Sequence, residues 1–329
     1  MTDATDGSGR VRRLLAGEGD DAARQRATLP RTLLAPQDGS APGRPVFDPA
    51  LKQYGDAYRA GAPELAEPGA AEAWRAARRR ALDTVVAAVA ASPWADSLVL
   101  RGSWTMARWF PGEAREPGDL DFVVVPTSWD IGDARTGRML ADVARAAEEA
   151  AGEAAGDGPV IAADGRRTDE IWTYDRVPGR RMVLPWSAAG LPGGLVQLDF
   201  VFGEALPRPP VREPLPGGGS VPAASPELSC AWKVLWLLSD MHPQGKDIYD
   251  AMLLAERYPP SEALVREVLE QAAAWEEPPP PRSTTAELGR ALGPAWHEWP
   301  HFAAEHPRQG ADFADTTARL LAALRPVMG

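Results

Sequence analysis

Residues 98–126 read LVLRGSWTMARWFPGEAREPGDLDFVVVP, and this stretch decides the fold. Residues 98–101 are a short, mainly apolar run that ends at Gly102, and residues 122–125 are a second run typical of a buried strand. The residues between them indicate a Gly-Ser turn, a short helix and a loop. We therefore predict a strand, turn, helix, loop and strand at the centre of the domain.

Two aspartates stand at the head of the second strand. Asp119 and Asp121 are two residues apart, so both carboxylates point to one face of a strand. Neighbouring carboxylates repel each other unless a cation lies between them, and Mg²⁺ prefers oxygen ligands of this kind. We therefore expect Asp119 and Asp121 to bind Mg²⁺.

The Gly-Ser turn supplies a second chemical feature. Gly102 has no Cβ, so a phosphate can approach the backbone closely at that position. The amides that open the following helix, together with the Ser103 hydroxyl, offer hydrogen-bond donors to an anion. Metal-binding carboxylates that face a phosphate cradle are the components of phosphoryl or nucleotidyl transfer.

Composition limits the class of protein. The 329 residues allow two modest domains, and no run approaches the roughly 18 apolar residues of a transmembrane helix. No secretory signal is seen, and Cys230, the only cysteine, lies in an apolar helical pattern that favours a structural role. We expect a cytoplasmic protein without disulfides. Because the net charge is −11, a nucleic acid would have to meet a local basic groove.

The chain divides into four segments. Residues 1–45 mix Arg with Asp and Glu and have little apolar periodicity, which predicts a disordered tail; a nucleic-acid-binding tail is the functional alternative. Residues 46–205 contain the central unit and form the predicted catalytic domain. Residues 206–224 are rich in Pro and Gly, which indicates a linker. Residues 225–329 have helical periodicity, which predicts an α-helical domain.

Periodicity also predicts the individual elements. A hairpin is expected over residues 169–187 with its turn at Pro178-Gly179, and a strand over residues 195–203 after a Pro-Gly-Gly turn. Asp199 lies among apolar residues in that strand and is a candidate third carboxylate. Residues 152–168 read as a loop. Helices are predicted at residues 70–91, 133–151, 246–257, 261–275, 284–293 and 311–325, and from Ser225 onward.

These residues together resemble a known family. A Gly-Ser turn after a strand, Asp-x-Asp on the next strand and a lone Asp on a third match the nucleotidyltransferase fold of the polymerase-β type. The helical half narrows the resemblance to one family. It resembles the nucleotidyltransferase AbiEii/AbiGii toxin family of type IV toxin–antitoxin systems in two segments, PELSCAWKVLWLLSD (226–240) and GKDIYDAMLL (245–254). The resemblance covers about residues 70–258 and implies an α/β (α+β) class, with a mixed sheet flanked by helices before the helical domain.

The resemblance implies roles for the residues of the sheet. Gly102 and Ser103 would hold the triphosphate of an NTP. Asp119 and Asp121 would bind Mg²⁺. Asp199 would complete the metal site or act as the base on the attacking hydroxyl.

The resemblance also implies roles in the helical half. Lys233 would neutralise phosphate charge, Asp247 would border the nucleotide, and Asp250 would join the nucleotide-binding set. Simpler explanations stand beside these: Lys246 and Asp250 are four residues apart and fit a surface pair, and Lys233 fits a lysine that extends from a core helix.

The chain departs from the family in two places. Residues 104–118 make an unusually long connection between Ser103 and Asp119, and this loop, with Arg115, either contacts substrate or is an insertion. The family's basic residue between the sheet motifs would be Arg180 or Arg181.

A second motif, His297-Glu-Trp-Pro-His301, fits the H-E-x-x-H pattern of zinc proteases. That chemistry needs both histidines on one unbroken helix. Pro300 removes a backbone donor and clashes with the preceding turn, even if His306 is counted as a third ligand. We expect a turn with exposed histidines.

The sequence thus predicts Mg²⁺-dependent transfer of a nucleotide from an NTP to RNA (such as tRNA) or protein, a cognate antitoxin as partner, and no membrane association. The alternatives are a small-molecule antibiotic nucleotidyltransferase and a non-catalytic NTP-binding module. A basic surface near the cleft would favour RNA, and a closed acidic pocket would favour an aminoglycoside. Arginines available for that surface, or for a merely solvated face, are Arg78, Arg79, Arg80, Arg108, Arg166 and Arg167.

Overall fold

The computed structural model describes most of the chain from residue 43 onward and a few residues before it. No described helix is long and apolar enough to cross a bilayer. The described residues are 9, 11–12, 15, 29–34, 43–153, 158–173, 177–239, 243–273, 284–310 and 312–329.

From residue 43 onward, the described residues contain nine α-helices, and the predicted helices all appear within about two residues of their expected starts. Amphipathic periodicity located them because each buries one apolar stripe. The helices are α1 (Pro68–Ala91), α2 (Ser103–Trp109), α3 (Ala134–Glu153), α4 (Pro226–Ser239), α5 (Gly245–Arg257), α6 (Glu262–Ala273), α7 (Thr285–Leu292), α8 (Trp299–Glu305) and α9 (Phe313–Met328).

The strands form one mixed sheet and a small N-terminal hairpin. The sheet has the order β5-β7-β8-β4-β3-β10-β9, and β6 also pairs with β7. This mixed α/β architecture confirms the predicted class. The strands are β1 (Val46–Phe47), β2 (Tyr58–Arg59), β3 (Leu98–Arg101), β4 (Leu120–Val124), β5 (Val160–Ile161), β6 (Arg167–Thr173), β7 (Val177–Ala188), β8 (Leu191–Val201), β9 (Val211–Pro214) and β10 (Ser220–Ala223).

The central strands are buried on both faces, as their apolar character predicted. On β4, Leu120 and Phe122 face a core shared with α1 and α3, whereas Val123 belongs to a second core with the C-terminal helices. Strand alternation therefore turns Asp121, like Val123, toward the helical half. The site lies where the sheet meets the helices.

The predicted linker at residues 206–224 is wrong for much of its length. β9 and β10 pair as an antiparallel hairpin, and β10 joins the sheet beside β3 through Ala223 and Leu100. A Pro/Gly-rich segment can form this hairpin because β9 is the outermost strand of the sheet. Along its outer edge, β9 has no neighbouring strand in the described part of the sheet, so its backbone N–H groups are not all needed for hydrogen bonds between strands.

The two turns predicted before and after β7 are also wrong. Pro178 and Gly179 lie inside β7, opposite Trp172 and Ile171, and the connection to β6 falls at residues 174–176, outside the described residues. Gly179 has a packing role instead, because a Cβ there would lie 2.8 Å from Ile171 Cγ1. β8 likewise starts at Leu191 and includes the Pro-Gly-Gly run.

The remaining corrections concern residues predicted to be irregular. The expected loop at residues 152–168 contains β5 and the start of β6. Most of the predicted disordered tail lies outside the described residues, but Thr32 and Leu33 are buried, so disorder is the wrong description there. Thr32 is bound by Asp169 on β6, and the local sequence does not reveal a partner so distant along the chain.

Candidate functional site

Five charged residues lie side by side across five neighbouring strands. Arg101 pairs with Asp121, Asp121 with Asp199, Asp199 with Arg181, and Arg181 with Asp169. Residues that pair directly across strands share one face of a sheet. The row therefore places the predicted carboxylates Asp121 and Asp199 next to each other.

The Gly102-Ser103 turn lies directly against these carboxylates. Gly102 has a φ of +84°, which L-residues rarely adopt, and a Cβ there would collide with Asp121 Oδ2. The buried Ser103 Oγ donates to Asp119 Oδ1 at 3.1 Å and accepts from the Gly118 amide at 3.3 Å. Ser103 thus holds the loop that carries Asp119, and its predicted role as a phosphate donor stays a prediction.

Asp119 and Asp121 have opposite electrostatic environments. Burial would raise the pKa of Asp119, but the charges of Lys246, Arg115 and Arg59 lower it to about 2. Burial, followed by the charges of Asp119 and Asp199, raises the pKa of Asp121 to about 7. In a cation site without its cation, carboxylates lie close together, and their repulsion raises the pKa of one of them.

The carboxylate pair fits Mg²⁺, but the three-carboxylate set is not assembled. Asp119 and Asp121 offer oxygen donors that Mg²⁺ prefers. Within the described residues, no group of three or more His, Cys, Asp or Glu side chains is arranged to hold a metal ion. Asp199 would have to be released by Arg181 before it could serve as a third ligand.

Arg181 holds Asp199 in a buried ion pair. Its Nε and Nη2 donate to the two oxygens of Asp199, both at 2.8 Å, and its Nη1 donates to Asp48 Oδ2 at 2.7 Å. The neighbouring Arg180 points to the other face and pairs with Glu170 at 3.1 Å. Arg181 is therefore the basic residue that reaches the site, and Asp48 is a contributor that the sequence reading missed.

The helical half contributes a buried charge cluster. Lys233 Nζ donates to Asp247 Oδ1 at 2.5 Å and lies 3.6 Å from Asp250 Oδ2. Asp250, which is fully buried, also accepts from Arg115 Nη2 at 3.0 Å. Burial alone would raise the pKa of Asp247, but Lys233 and Lys246 lower it below its usual value.

These contacts decide between the alternatives that the sequence left open for Asp250 and for the loop that carries Arg115. Asp250 pairs with Arg115 and Lys233 rather than forming a surface pair with Lys246. The long loop before Asp119 brings Arg115 to the helical half, so Arg115 joins sheet and helices. Lys246 and Arg59, which the sequence reading did not select, both act electrostatically on Asp119. Lys246 lies next to Asp247 in the motif GKDIYDAMLL, so the sequence offered a signal for it, whereas no local sequence feature indicates Arg59.

The zinc-protease motif does not have the helix it needs. His297 lies in a 3₁₀ turn, and α8 begins afterwards at Trp299, with Pro300 in its first turn. His297 and His301 are exposed, as expected, although a short helix takes the place of the predicted turn. Burial, followed by the charge of Arg115, lowers the pKa of His306 to about 4, so His306 is neutral at pH 7.

A model of a known protein family matches the part of the chain that contains the site. No match was found among curated proteins. The sequence model described as "Nucleotidyl transferase AbiEii toxin, Type IV TA system" matches residues 84–322. That range contains the Gly-Ser turn, the three aspartates of the sheet and the Lys233 cluster. The chain therefore belongs to the AbiEii nucleotidyl transferase toxin family of type IV toxin–antitoxin systems.

Proposed function

We propose that the protein is a Mg²⁺-dependent nucleotidyltransferase that transfers NMP from an NTP to a hydroxyl of RNA (such as tRNA) or protein. The observation that carries this proposal is the position of Asp121 Oδ2 in the space that a Cβ on Gly102 would occupy, because a phosphate that approaches the turn then meets this carboxylate directly. Asp119 and Asp121 would hold Mg²⁺, which supplies neutralisation and alignment of the phosphates when bound.

The chain's own cations would bind the rest of the triphosphate. Lys246 comes from the helical half and Arg59 from the N-terminal hairpin, and both are only partly buried. Lys233 is tied to Asp247, which fits a role in fixing the nucleotide side of the cleft. Preorganised charges of this kind stabilise the charge that develops during phosphoryl transfer.

The chemical step balances as an in-line displacement. The acceptor hydroxyl oxygen forms a bond to the α-phosphorus, the bond to the β-phosphate oxygen breaks, and pyrophosphate leaves. We assign the hydroxyl proton to Asp199, which lies in register with Asp121 and would accept the proton once Arg181 releases it. The role is that of a toxin, and the family implies a cognate antitoxin as partner.

Transfer of label from each α-labelled NTP, with Mg²⁺, tests the proposal. One reaction contains bulk tRNA, one a cell protein extract and one an aminoglycoside panel. Label on RNA or protein that disappears in Asp119→Asn/Asp121→Asn supports the proposal. Label on the aminoglycosides would replace it with antibiotic modification, and tight NTP binding without any transfer would replace it with a binding module.

A further inference from the structure

We propose that Arg31, Arg166 and Arg167 form a second anion-binding site, which binds the phosphodiester backbone of a nucleic-acid acceptor. The three side chains, together with Asp164 and Thr168, surround an open concavity of about 320 Å³. The inference rests on the proposed function, because it names the acceptor class for that reaction. We call these three residues the arginine subsite.

Among the described residues, the charge of the arginine subsite is only partly compensated by nearby acids. Arg166 Nη1 donates to the Ala163 carbonyl at 3.4 Å, and Arg167 Nη1 donates to the Arg166 carbonyl at 2.8 Å. Neither these two arginines nor Arg31 forms an ion pair with any residue in the described ranges. With Asp164 on the rim, the concavity keeps a formal charge of +2 on a chain whose net charge is −11.

Two of the other arginines that could have served an RNA surface, Arg79 and Arg108, are already paired with acids. Arg79 binds Glu72 and Glu116, and Arg108 binds Asp83 at 3.0 Å. Their charges are therefore partly neutralised at short range. At the arginine subsite, by contrast, three arginines without an ion pair to a described residue lie together around one concavity.

A buried aspartate fixes the position of Arg31. Asp169 accepts from the Arg31 amide at 3.1 Å, from the Thr32 amide and hydroxyl at 2.7 Å each, and from Tyr54 Oη at 2.9 Å. Asp169 is 3% exposed, so these bonds form away from water. The backbone at Arg31 is thereby held beside Arg166 and Arg167, as a preorganised anion site requires.

The arginine subsite lies on the same face of the sheet as the carboxylates. Arg167 and Asp169 are two residues apart on β6, so they share a face. Asp169 is separated from Asp121 by three strand steps, through Arg181 and Asp199. At about 4.8 Å per strand and 3.3 Å per residue, Arg167 lies roughly 16 Å from Asp121. This distance corresponds to the length of a few nucleotides of an acceptor strand whose end enters the site.

Binding of a fluorescent single-stranded RNA 12-mer tests this inference. Anisotropy would be measured between 50 and 200 mM KCl for the full chain, for Arg31→Gln/Arg166→Gln/Arg167→Gln, and for a control. Each phosphate contact contributes about 0.7 to the salt slope for single strands, so three lost contacts lower it by about 2. Over this fourfold salt range, the wild type then loses about 20-fold more affinity than the triple variant. The control, which removes the same charge from exposed helix positions, is Arg138→Gln/Arg290→Gln/Arg325→Gln.

The outcomes separate the subsite from the proposed chemistry. An unchanged slope in the subsite variant, an equal loss in the control, or no RNA binding by the wild type would each overturn the subsite. A rise in KM for RNA with unchanged kcat and NTP affinity would support it. If RNA binding depends on the arginines but no label is transferred, the subsite stands and nucleotidyl transfer fails. If label reaches RNA with unchanged KM in the variant, transfer stands and the subsite fails.

Discussion

The ion pair between Arg115 and Asp250 joins the sheet half to the helical half, and we expect it to be among the most costly contacts to break. Asp250 is fully buried and Arg115 is 8% exposed. Asp250→Asn keeps the side-chain shape but leaves the Arg115 guanidinium without its carboxylate, next to the charge of Lys233. Removing one partner of a buried pair costs about 3–5 kcal/mol. At roughly 2–3 °C per kcal/mol, the apparent Tm should fall by about 6–15 °C.

A double-mutant cycle measures the pair itself. Urea denaturation followed by tryptophan fluorescence would give unfolding free energies for wild type, Asp250→Asn, Arg115→Met and the double variant. We expect the double variant to be less destabilised than the sum of the single variants by about 2–3 kcal/mol, because removing both partners leaves no buried unpaired charge.

The same helix provides a matched control. Glu256, also on α5, forms a bidentate pair with Arg319 at 2.7 and 2.8 Å, but the two side chains are 36% and 46% exposed. An exposed pair contributes about 0.2–1 kcal/mol, so the Glu256→Gln/Arg319→Met cycle should give a coupling in that range. Equal couplings in the two cycles would refute the reasoning, because burial would then have no effect on a pair of similar geometry.

Three further predictions address the site directly. Gly102→Ala places a Cβ against Asp121 Oδ2 at a φ of +84°, which adds about 1–3 kcal/mol of backbone strain. We expect this variant to lose at least tenfold in kcat/KM for transfer. The control Gly112→Ala has a φ of +82° but open space around its Cβ, and it should keep activity. Burial and the charges of Asp119 and Asp199 raise the pKa of Asp121 to about 7, above the roughly 3.9 of an unfolded aspartate, so the metal-free protein should lose stability as pH rises from about 4 to 7. The rise in Tm on adding Mg²⁺ should therefore be larger at pH 8 than at pH 5, and Asp121→Asn should remove that difference. Asp48→Asn weakens the bond from Arg181, and urea denaturation should report a loss of about 1.5–3 kcal/mol, against less than about 1 kcal/mol for the exposed Asp96→Asn.

The local parts of the fold could be predicted because local sequence controls them. The helices follow from one apolar stripe each, and the burial of Phe122 and Val123 follows from a continuous apolar strand. Turn assignments failed where a glycine serves packing: Gly179 lies within β7 because Ile171 occupies the space of its missing Cβ. The sequence predicts a linker where the structure has the hairpin of β9 and β10, because the place of this hairpin in the sheet depends on β3, which lies more than a hundred residues earlier.

The candidate site was predictable as a set of residues but not as a set of contacts. The spacing of Asp119 and Asp121 and the position of Asp199 on a strand were enough to place the carboxylates on one face. Whether Asp199 is free depends on Arg181, its partner on the neighbouring strand, and on Asp48, which also binds Arg181. Those partners are chosen by tertiary structure, so a sequence motif cannot reveal that the third carboxylate is already occupied.

The N-terminal segment shows why the family match alone does not define this site. The match begins at residue 84, yet two residues before it act on the site: Asp48 binds Arg181, and the charge of Arg59 lowers the pKa of Asp119. Thr32 is fixed from the same side by Asp169, a residue of the row that contains Asp121. Each of these contacts is buried or partly buried and involves charge, so each is sensitive to the loss of its partner. Residues outside the family match therefore belong to the electrostatic environment in which the carboxylates of this chain act.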